Sequence, residues 1–374
     1  MSASESAPHW SRRRVLASLV GLGAAAPLLA GDRRGSGDTV VLRYTAHIPN
    51  SHGLYGRVFL PWEEMVTERT QGRIRWEHYV DALLHGALDG FKAIESGITD
   101  YTHCYATYQP GSFHLTHGLQ LPFLFPSPGV ASLVSEELYP TYLKQEYENM
   151  GAYLAHCDVT TAYDIISKVP VHTPEDIRGM KVRSTGGLMA EIIREMDAIP
   201  VVIAASETYT AFQRGIIDAV ALGGPDMAAY RLYETGRYYL QIGLTHTVLQ
   251  YALSPRTFDA LPLDLKVELY NLFRFRGQIA HRNYYGGRAL ETALDRLREA
   301  DVEILIPSDS ERQAWVDAVR PLEERFIEEN ERRGLPAGAF VREAKQRAAA
   351  YDGWSDDQLW DQVAERPVQG IIAL

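Results

Sequence analysis

Residues 174–225 read PEDIRGMKVRSTGGLMAEIIREMDAIPVVIAASETYTAFQRGIIDAVALGGP, and the stretch alternates short apolar runs with amphipathic runs. The pattern predicts a strand that ends with KVRS (181–184), a helix over 187–197, a strand over 199–205, a helix over 206–214 and a strand over 216–222. Strands that alternate with helices at this spacing are typical of βαβ units. The stretch therefore predicts an α/β fold.

The preceding region has the same order of elements. Its apolar and amphipathic runs predict strands over 39–47, 73–80 and 98–106 and helices over 53–69 and 87–96. The helix-to-strand junction Gly97-Ile98-Thr99-Asp100 matches Gly215-Ile216-Ile217-Asp218. Two similar units predict two α/β lobes with mostly parallel sheets, and a ligand cleft between the lobes.

Residues 264–298 keep helical apolar spacing that Gly286-Gly287 interrupts only softly. A helix of this length measures about 50 Å, so we expect it to span both lobes. We assign 38–160 with about 249–285 to lobe I, and 161–248 with about 286–308 to lobe II. Residues 309–374 are predicted to form helices that pack on the lobes or at a dimer interface.

Composition narrows the function. The chain has 374 residues, enough for two domains with cores of their own. Its net charge of −11 at pH 7 argues against nucleic-acid binding, which needs a concentrated basic surface.

Cys104 and Cys157 are the two cysteines, and both a disulfide and a pair of buried thiols are compatible with their apolar surroundings.

Residues 1–30 are predicted to be an export signal. Arg12 and Arg13 precede an apolar run, and Ala30-Gly31 offers a small-residue cleavage point. The paired arginines are typical of twin-Arg export. The run is too short and too rich in Gly and Ala to anchor the chain in a membrane. The sequence therefore predicts a periplasmic protein.

Arg183 combines several features that attract an anion. It lies where a strand gives way to a helix, and its planar guanidinium matches a carboxylate with two parallel hydrogen bonds. The following Thr185, Gly186 and Gly187 are predicted to leave backbone N–H groups free and to let a ligand approach. From the spacing alone, a strand-edge arginine paired with a surface carboxylate is an equally good interpretation.

The chain resembles the periplasmic solute-binding proteins of TRAP transporters, the dicarboxylate-binding-protein type. The resemblance rests on Pro-x-Asp-x-x-Gly-x-x-x-Arg (174–183), on Ser-Glu-x-Tyr-x-Ala-x-x-x-Gly-x-x-Asp (206–218), and on SGITD (96–100) and LPFLF (121–125). It covers nearly all of 39–330. The resemblance implies a type II-like, two-lobed binding protein that is not an enzyme. Arg183 would bind the carboxylate of an organic acid, the lobes would close by hinge bending, and the closed form would dock on the membrane permease.

The run IIDAVALGGP (216–225) is closest to the keto-acid-binding branch of this family. That branch has a metal-binding Glu and a Trp at the positions of Ala221 and Leu222, so the resemblance implies no metal or other cofactor here. Sialic-acid-type members have a second Arg near the position of Tyr163. We therefore expect a monocarboxylate with an aromatic or apolar body, bound against Leu222, Gly223 and Gly224.

Further ligand contacts are predicted on the strand ends and in the family motif. Alternation places Tyr101, His103 and Tyr105 on one face of a first-lobe strand, and aromatic walls suit a ring or hydrocarbon. The remaining candidates are His47, Tyr163 and Tyr209. For Tyr101, His103 and Tyr105, packing of the rings in the protein core is an equally good interpretation. His114 and His117 are weak evidence for a metal, because no third ligand accompanies them.

Two other functions are compatible with an exported α/β protein. One is an enzyme that acts on carboxylates, with Arg183 as substrate clamp, and the other is a ligand-sensing subunit of a membrane kinase. The sequence after residue 30 has no GxSxG, HExxH, CxxC or P-loop motif. This favours a binding protein for transport over an enzyme.

Overall fold

The computed structural model describes residues 39–109 and 111–374, so the predicted export signal at 1–30 lies outside the described residues. The described strands are β1 (Val40–Thr45), β2 (Ile74–Tyr79), β3 (Tyr101–His103), β4 (Tyr153–Val159), β5 (Tyr163–Ser167), β6 (Lys181–Ser184), β7 (Ile199–Val202), β8 (Ala219–Gly223), β9 (Tyr238–Leu240), β10 (Val248–Leu253) and β11 (Glu303–Leu305). They form two sheets, of order β2-β1-β3-β10-β4 and β7-β6-β8-β5-β9-β11. Each sheet with its helices makes one lobe, which we call the first and the second lobe.

Helices cover both sheets. The α-helices are Leu60–Arg69, Gly90–Glu95, Pro128–Leu138, Lys144–Glu148, Gly187–Glu195, Thr208–Gln213, Gly224–Ala229, Pro255–Asp259, Leu263–Arg274, Arg276–Ala280, Gly287–Glu299, Asp309–Val319, Pro321–Glu331, Ala337–Ala350 and Asp356–Glu365. Wider π-turns occupy Leu54–Phe59, Tyr139–Leu143 and His281–Tyr285, and 3₁₀ turns occupy Ala106–Tyr108, Leu115–Gln120, Ala205–Glu207 and Leu232–Glu234. None of the described helices is long and apolar enough to cross a bilayer.

Both sheets are mixed, which corrects the prediction of mostly parallel sheets. In the first sheet β1 pairs in parallel with β2 and β3, but β10 runs antiparallel to β3 and β4. In the second sheet β6 pairs in parallel with β7 and β8, but β5 runs antiparallel to β8 and β9. The reason is topological: β5 and β10 each follow a crossing from the other lobe. They start at the cleft and run away from it, whereas β1, β3, β6 and β8 end there.

Three segments of the described chain connect the two sheets, and two of these crossings lie side by side. One crossing joins β4 to β5 and the other joins β9 to β10. They are hydrogen-bonded to each other: the Thr160 amide donates to the Thr247 carbonyl (3.1 Å), and the Thr247 amide donates to Thr160 Oγ1 (3.1 Å). The Tyr163 amide also donates to the Thr245 carbonyl (2.7 Å). The predicted lobe boundaries stay a prediction.

The third crossing is at Gly286, where the predicted continuous helix over 264–298 is broken. The helical run from Leu263 ends with the π-turn at Tyr285, Gly286 is extended (φ −79°, ψ −178°), and a new helix starts at Gly287. The first segment packs in the first lobe, where Trp62 Nε1 donates to the Leu272 carbonyl (2.8 Å). The second segment packs in the second lobe. The two helical segments therefore span both lobes, as expected, but a sharp joint separates them.

The C-terminal helices pack on both lobes. In the second lobe Trp315 Nε1 donates to the His172 carbonyl (2.8 Å) and Arg325 pairs with Glu195 (2.5 Å). In the first lobe Arg347 pairs with Glu137 (2.9 Å). The alternative role at a dimer interface stays a prediction.

The two cysteines lie inside the first lobe. Cys104 and Cys157 are both buried and free, which answers the question that the sequence left open. Burial raises the pKa of both thiols, so they are held in their neutral form. Their place in the apolar interior is the usual one for structural cysteines.

We predict that Gly286 and Gly287 respond oppositely to alanine. A Cβ at Gly286 would lie 2.5 Å from the His281 carbonyl oxygen, whereas a Cβ at Gly287 meets nothing within 4 Å. Because the backbone at Gly286 is one that any residue adopts, the collision is the cost, and Gly286→Ala should lower the free energy of unfolding by about 1–3 kcal/mol. Gly287→Ala should be neutral or stabilise by up to about 1 kcal/mol. Urea denaturation of both variants measures this, and equal stabilities would contradict the account of the joint.

Candidate functional site

A cavity lies between the lobes, at the ends of β1, β3, β6 and β8. Its volume is about 30 Å³. The first lobe and the crossings contribute His47, Ile48, His52, Leu54, Tyr105, Thr107, Tyr108, Thr160, Thr247, Leu249 and Tyr285. The second lobe contributes Tyr163, Arg183, Thr185, Ala205, Leu222, Asp226 and Tyr230.

Arg183 is held by the strands on either side of its own. It is the third residue of β6, which lies between β7 and β8 in the sheet. Its Nε donates to the carbonyl of Ile203, just beyond β7 (3.0 Å), and its Nη1 donates to the carbonyl of Ala221 in β8 (3.4 Å). Two backbone carbonyls therefore fix the plane of the guanidinium, and the edge that carries Nη2 has no hydrogen-bond acceptor.

Arg183 forms no ion pair with the described part of the chain, although its charge acts on the more distant Asp226 carboxyl and lowers the pKa of that group against the larger effect of burial. The residue is 0% exposed, Nη2 has no hydrogen-bond partner, and no described carboxylate oxygen lies within 4.0 Å of its guanidinium nitrogens. A buried cation without a paired anion is costly, and native proteins rarely keep one without a functional reason. This excludes the structural interpretation of Arg183 as half of a surface ion pair.

Other polar atoms in the same cavity are also buried and unpartnered. They are His47 Nδ1, His52 Nε2, Thr107 Oγ1 and Thr185 Oγ1, three from the first lobe and one from the second. Most buried polar side-chain atoms in native proteins have a hydrogen-bond partner. A group of exceptions around one cavity, together with Arg183 Nη2, makes this cavity the candidate site for a polar ligand group.

The cavity histidines do not add positive charge near neutral pH. Burial lowers the pKa of His47 to about 3 and that of His52 to about 4. Both rings are therefore neutral at pH 7. Arg183 is the one cationic side chain among the described residues that line the cavity.

Asp226 introduces a negative charge that the sequence analysis missed. It follows Pro225 in the helix that starts directly after β8, and it lines the cavity. Its carboxylate accepts hydrogen bonds from Tyr284 (3.0 Å) and Tyr285 (3.3 Å), which come from the π-turn before Gly286. Burial raises the pKa of Asp226 to about 6. The signal available in the sequence was its position one turn beyond a strand end that faces the cleft.

Five of the predicted ligand residues line this cavity: His47, Tyr105, Tyr163, Arg183 and Leu222. Their contact with a ligand stays a prediction. They come from β5, β6 and β8 and from the segments just after β1 and β3, so only the folded chain brings them together. Tyr108, at the end of the same first-lobe segment, lines the cavity as well.

Tyr101 and His103 are not on the cavity wall, contrary to the prediction. Tyr101 is in the core of the first lobe, where its hydroxyl contacts His156 Nε2 (2.6 Å). His103 lies one layer behind the wall: its Nδ1 contacts the Tyr105 hydroxyl (2.6 Å), and its ring is edge-on to His47 at 4.9 Å. Alternation along β3 placed these side chains on one face correctly, but that face packs against the core.

Tyr209, Gly223 and Gly224 are also outside the cavity lining. Tyr209 donates to Glu234 (2.7 Å) in an exposed hydrogen bond. A Cβ at Gly223 would lie 2.6 Å from Thr161 Oγ1. One at Gly224 would lie 2.6 Å from Leu290 Cδ1, in the helix after the joint. The two glycines thus serve close packing within the protein rather than a smooth ligand wall.

Gly186 and Gly187 contact the first lobe. A Cβ at Gly186 would lie 2.8 Å from the Thr107 carbonyl oxygen, and one at Gly187 would lie 2.5 Å from His117 Nδ1. Both glycines have positive φ, +96° and +52°. The Gly186 amide donates to Ser184 Oγ (2.9 Å), so it is not free for a ligand as predicted. These glycines allow the two lobes to touch beside the cavity.

His114 and His117, the two histidines considered as metal ligands, have different surroundings. His114 Nδ1 contacts Arg333 Nη1 (2.6 Å), whereas His117 is buried against the second lobe. Within residues 39–109 and 111–374, no group of three or more His, Cys, Asp or Glu side chains could hold a metal ion.

Sequence comparisons identify a family. The model for the bacterial extracellular solute-binding proteins of family 7, DctP, matches residues 45–330. The C4-dicarboxylate-binding periplasmic protein DctP of Rhodobacter capsulatus is 25% identical over 326 residues, which cover 84% of this chain and 94% of that protein. The 2,3-diketo-L-gulonate-binding periplasmic protein YiaO of Escherichia coli is 22% identical over 289 residues, 76% of this chain and 84% of that one.

Solved structures show the same fold. A TRAP solute-binding protein from Rhodoferax ferrireducens with copurified benzoate has a TM-score of 0.79 at 19% identity, over 84% of this chain and 98% of that chain. One from Bordetella bronchiseptica with bound mandelate has a TM-score of 0.75 at 22% identity, over 84% and 100%. The chain therefore belongs to the DctP family, the bacterial extracellular solute-binding proteins of TRAP transporters, whose members bind solutes and are not enzymes.

Proposed function

We propose that this protein captures an organic monocarboxylate with an aromatic or apolar body in the periplasm and delivers it to a TRAP permease. The observation that carries the proposal is the buried Arg183 guanidinium, whose Nη2 has no hydrogen-bond partner and which forms no ion pair within 4.0 Å in the described chain. A ligand carboxylate supplies the missing charge and accepts hydrogen bonds from the free edge of the guanidinium. Thr185 Oγ1, also unpartnered, offers a further donor.

The charge balance of the cavity favours one carboxylate over two. Arg183 is the one cation among the described lining residues, Asp226 adds a negative charge, and burial keeps His47 and His52 neutral at pH 7 by lowering the pKa of both rings. One ligand carboxylate can pair with the guanidinium, next to the negative charge of Asp226. A second would be buried without a counter-ion, which is strongly unfavourable.

The shape of the wall favours an aromatic or apolar body. Five tyrosines line the cavity together with Leu222 and Leu249: Tyr105, Tyr108, Tyr163, Tyr230 and Tyr285. Tyrosine rings stack on aromatic ligands and keep their hydroxyls for hydrogen bonds. Structural relatives have been crystallised with benzoate, 3-hydroxybenzoate and mandelate, and others with galacturonate and glucuronate. The tyrosine-rich wall of this chain supports the aromatic group of acids.

We further propose that binding and closure are coupled. Both lobes contribute to the cavity, and the three crossings with the joint at Gly286 form the natural hinge. A ligand held by Arg183 on the second lobe and by the tyrosines of the first lobe favours the closed form because it contacts both. Export by the twin-Arg route through residues 1–30, docking of the closed form on the permease, and a homodimer belong to the same proposal.

Replacement of Arg183 tests the carboxylate site. Arg183→Ala should weaken binding of an aromatic monocarboxylate about 100-fold or more, since truncating one partner of a buried charged pair costs about 2–5 kcal/mol. Arg183→Lys, which keeps the charge but loses the planar fork, should bind more weakly than wild type and more tightly than Arg183→Ala. Isothermal titration calorimetry measures all three.

The matched control is Arg312→Ala. Arg312 also donates to a backbone carbonyl, that of Ile242 (2.7 Å), but it is outside this cavity. Its replacement should leave affinity unchanged. If Arg183→Ala binds within threefold of wild type, Arg183 is not the carboxylate site and the proposal fails.

Gly187 tests the coupling to closure. Gly187→Ala places a Cβ 2.5 Å from His117 of the first lobe and should weaken ligand binding about tenfold, because the closed form is the binding form. Gly179→Ala is the control, since Gly179 also has positive φ (+74°) but a Cβ there meets nothing within 4 Å. Both variants should lose stability through backbone strain. Equal affinities of the two variants would argue against closure at this contact.

A further inference from the structure

We infer, building on the proposed function, that Asp226 is a second recognition point. It accepts a hydrogen bond from a donor on the ligand, a hydroxyl or an ammonium group, and it rejects acids that have a second carboxylate. The ligand class is thereby narrowed from monocarboxylates in general to hydroxy- or amino-substituted ones. The comparisons assign no role to this residue.

Asp226 is built into the same cavity as Arg183. It is 6% exposed and lines the cavity from the helix Gly224–Ala229. That helix starts where β8 ends, and β8 also supplies the Ala221 carbonyl that holds Arg183. One strand end therefore positions a cation and an anion in one small space.

The two charges do not neutralise each other directly. No Asp226 oxygen is within 4.0 Å of the Arg183 guanidinium nitrogens, although both residues line the cavity. A ligand with a carboxylate at one end and a hydrogen-bond donor further along satisfies both residues at once. A ligand without the donor leaves the Asp226 side of the cavity unsatisfied, and unpaired buried groups are expensive.

The Asp226 carboxylate is fixed in place but not saturated. Oδ1 accepts from Tyr284 (3.0 Å) and lies 3.5 Å from both the Tyr285 hydroxyl and His52 Nε2. Oδ2 accepts one hydrogen bond, from Tyr285 at 3.3 Å. A carboxylate offers about four acceptor positions, so Oδ2 keeps capacity for a further donor. His52 Nε2 itself has no hydrogen-bond partner.

The surroundings of Asp226 suit a donor with or without positive charge. The rings of Tyr230 and Tyr284 lie 5.3 and 5.4 Å from that of His52, and Tyr284 and Tyr285 are 4.7 Å apart. A carboxylate accepts a hydrogen bond from an ammonium group as well as from a hydroxyl. The two groups share the recognition chemistry, and the experiment separates them.

The test uses acids that differ in one substituent. Phenylacetate, mandelate, phenylglycine and phenylmalonate carry hydrogen, hydroxyl, ammonium and carboxylate on the same carbon. Benzoate, 3-hydroxybenzoate, 3-(aminomethyl)benzoate and isophthalate offer a hydrogen, a hydroxyl, an ammonium and a carboxylate group on the ring side. In calorimetry with the wild-type protein, a donor should raise affinity about 10- to 100-fold in at least one series. The second carboxylate should lower affinity by a similar factor. Within the series that shows this gain, the acid that binds most tightly identifies the donor as a hydroxyl or an amino group.

Asp226→Asn provides the second measurement. The variant keeps the shape but removes the charge, so the preference for the donor should fall and the rejection of phenylmalonate and isophthalate should weaken. Asp164→Asn is the matched control: Asp164 is a buried carboxylate that also accepts from a tyrosine, Tyr239, but it is outside this cavity. Its replacement should leave the ranking of the acids unchanged.

The outcomes separate the inference from the proposed function. If the acids bind and Arg183→Ala abolishes binding, but donor and second carboxylate make no difference in the wild-type protein, only the inference about Asp226 is wrong. Should Asp226→Asn fold and keep the wild-type ranking, the inference is also wrong. If none of the eight acids binds the wild-type protein, the proposed ligand class fails and the inference fails with it. The wild-type ranking decides even if Asp226→Asn does not fold.

Discussion

A buried guanidinium that forms no ion pair with the described chain is the constraint on which the site depends. Arg183 is fully buried, two backbone carbonyls hold two of its nitrogens, and Nη2 is left over. Removing such a charge from water is expensive, and elsewhere in this protein buried arginines have carboxylates: Arg274 pairs with Glu136 and Arg276 lies 3.5 Å from Asp158. The exception at Arg183 is what an anion-binding site requires.

The rest of the architecture brings groups to this cation from both sides. Strands β1, β3, β6 and β8 end at the cleft, and the crossing strands β5 and β10 start there, so the three segments that connect the two sheets pass the cavity. Thr160, Thr247 and Tyr285, one from each crossing, line it. The proposed hinge and the candidate binding site thus share residues. A ligand in the cavity would contact the connecting segments, which supports the proposed coupling of binding to lobe closure.

Much of the fold and part of the site could be predicted from local pattern. The strand-helix alternation over 174–225 was right within a few residues, and Arg183 at the end of a strand pointed to a cleft. Tyr101 and Tyr209 show the limit. Period-two alternation cannot tell which face of β3 meets the core, and a tyrosine in a family motif is equally able to form an exposed hydrogen bond with Glu234. The break at Gly286 was underestimated because a Gly pair inside a helical pattern also fits a continuous helix.

The amino-acid sequence by itself determined the two α/β lobes, the order of their elements and a strand-end arginine, since these follow from short-range periodicity and residue chemistry. Only the tertiary structure decided that β5 and β10 run antiparallel, that Gly186 and Gly187 contact the opposite lobe, and that Asp226 shares a cavity with Arg183. The physical reason is that these facts depend on contacts between residues far apart in the chain. Local preferences carry no information about which distant backbone or charge will lie a few ångströms away.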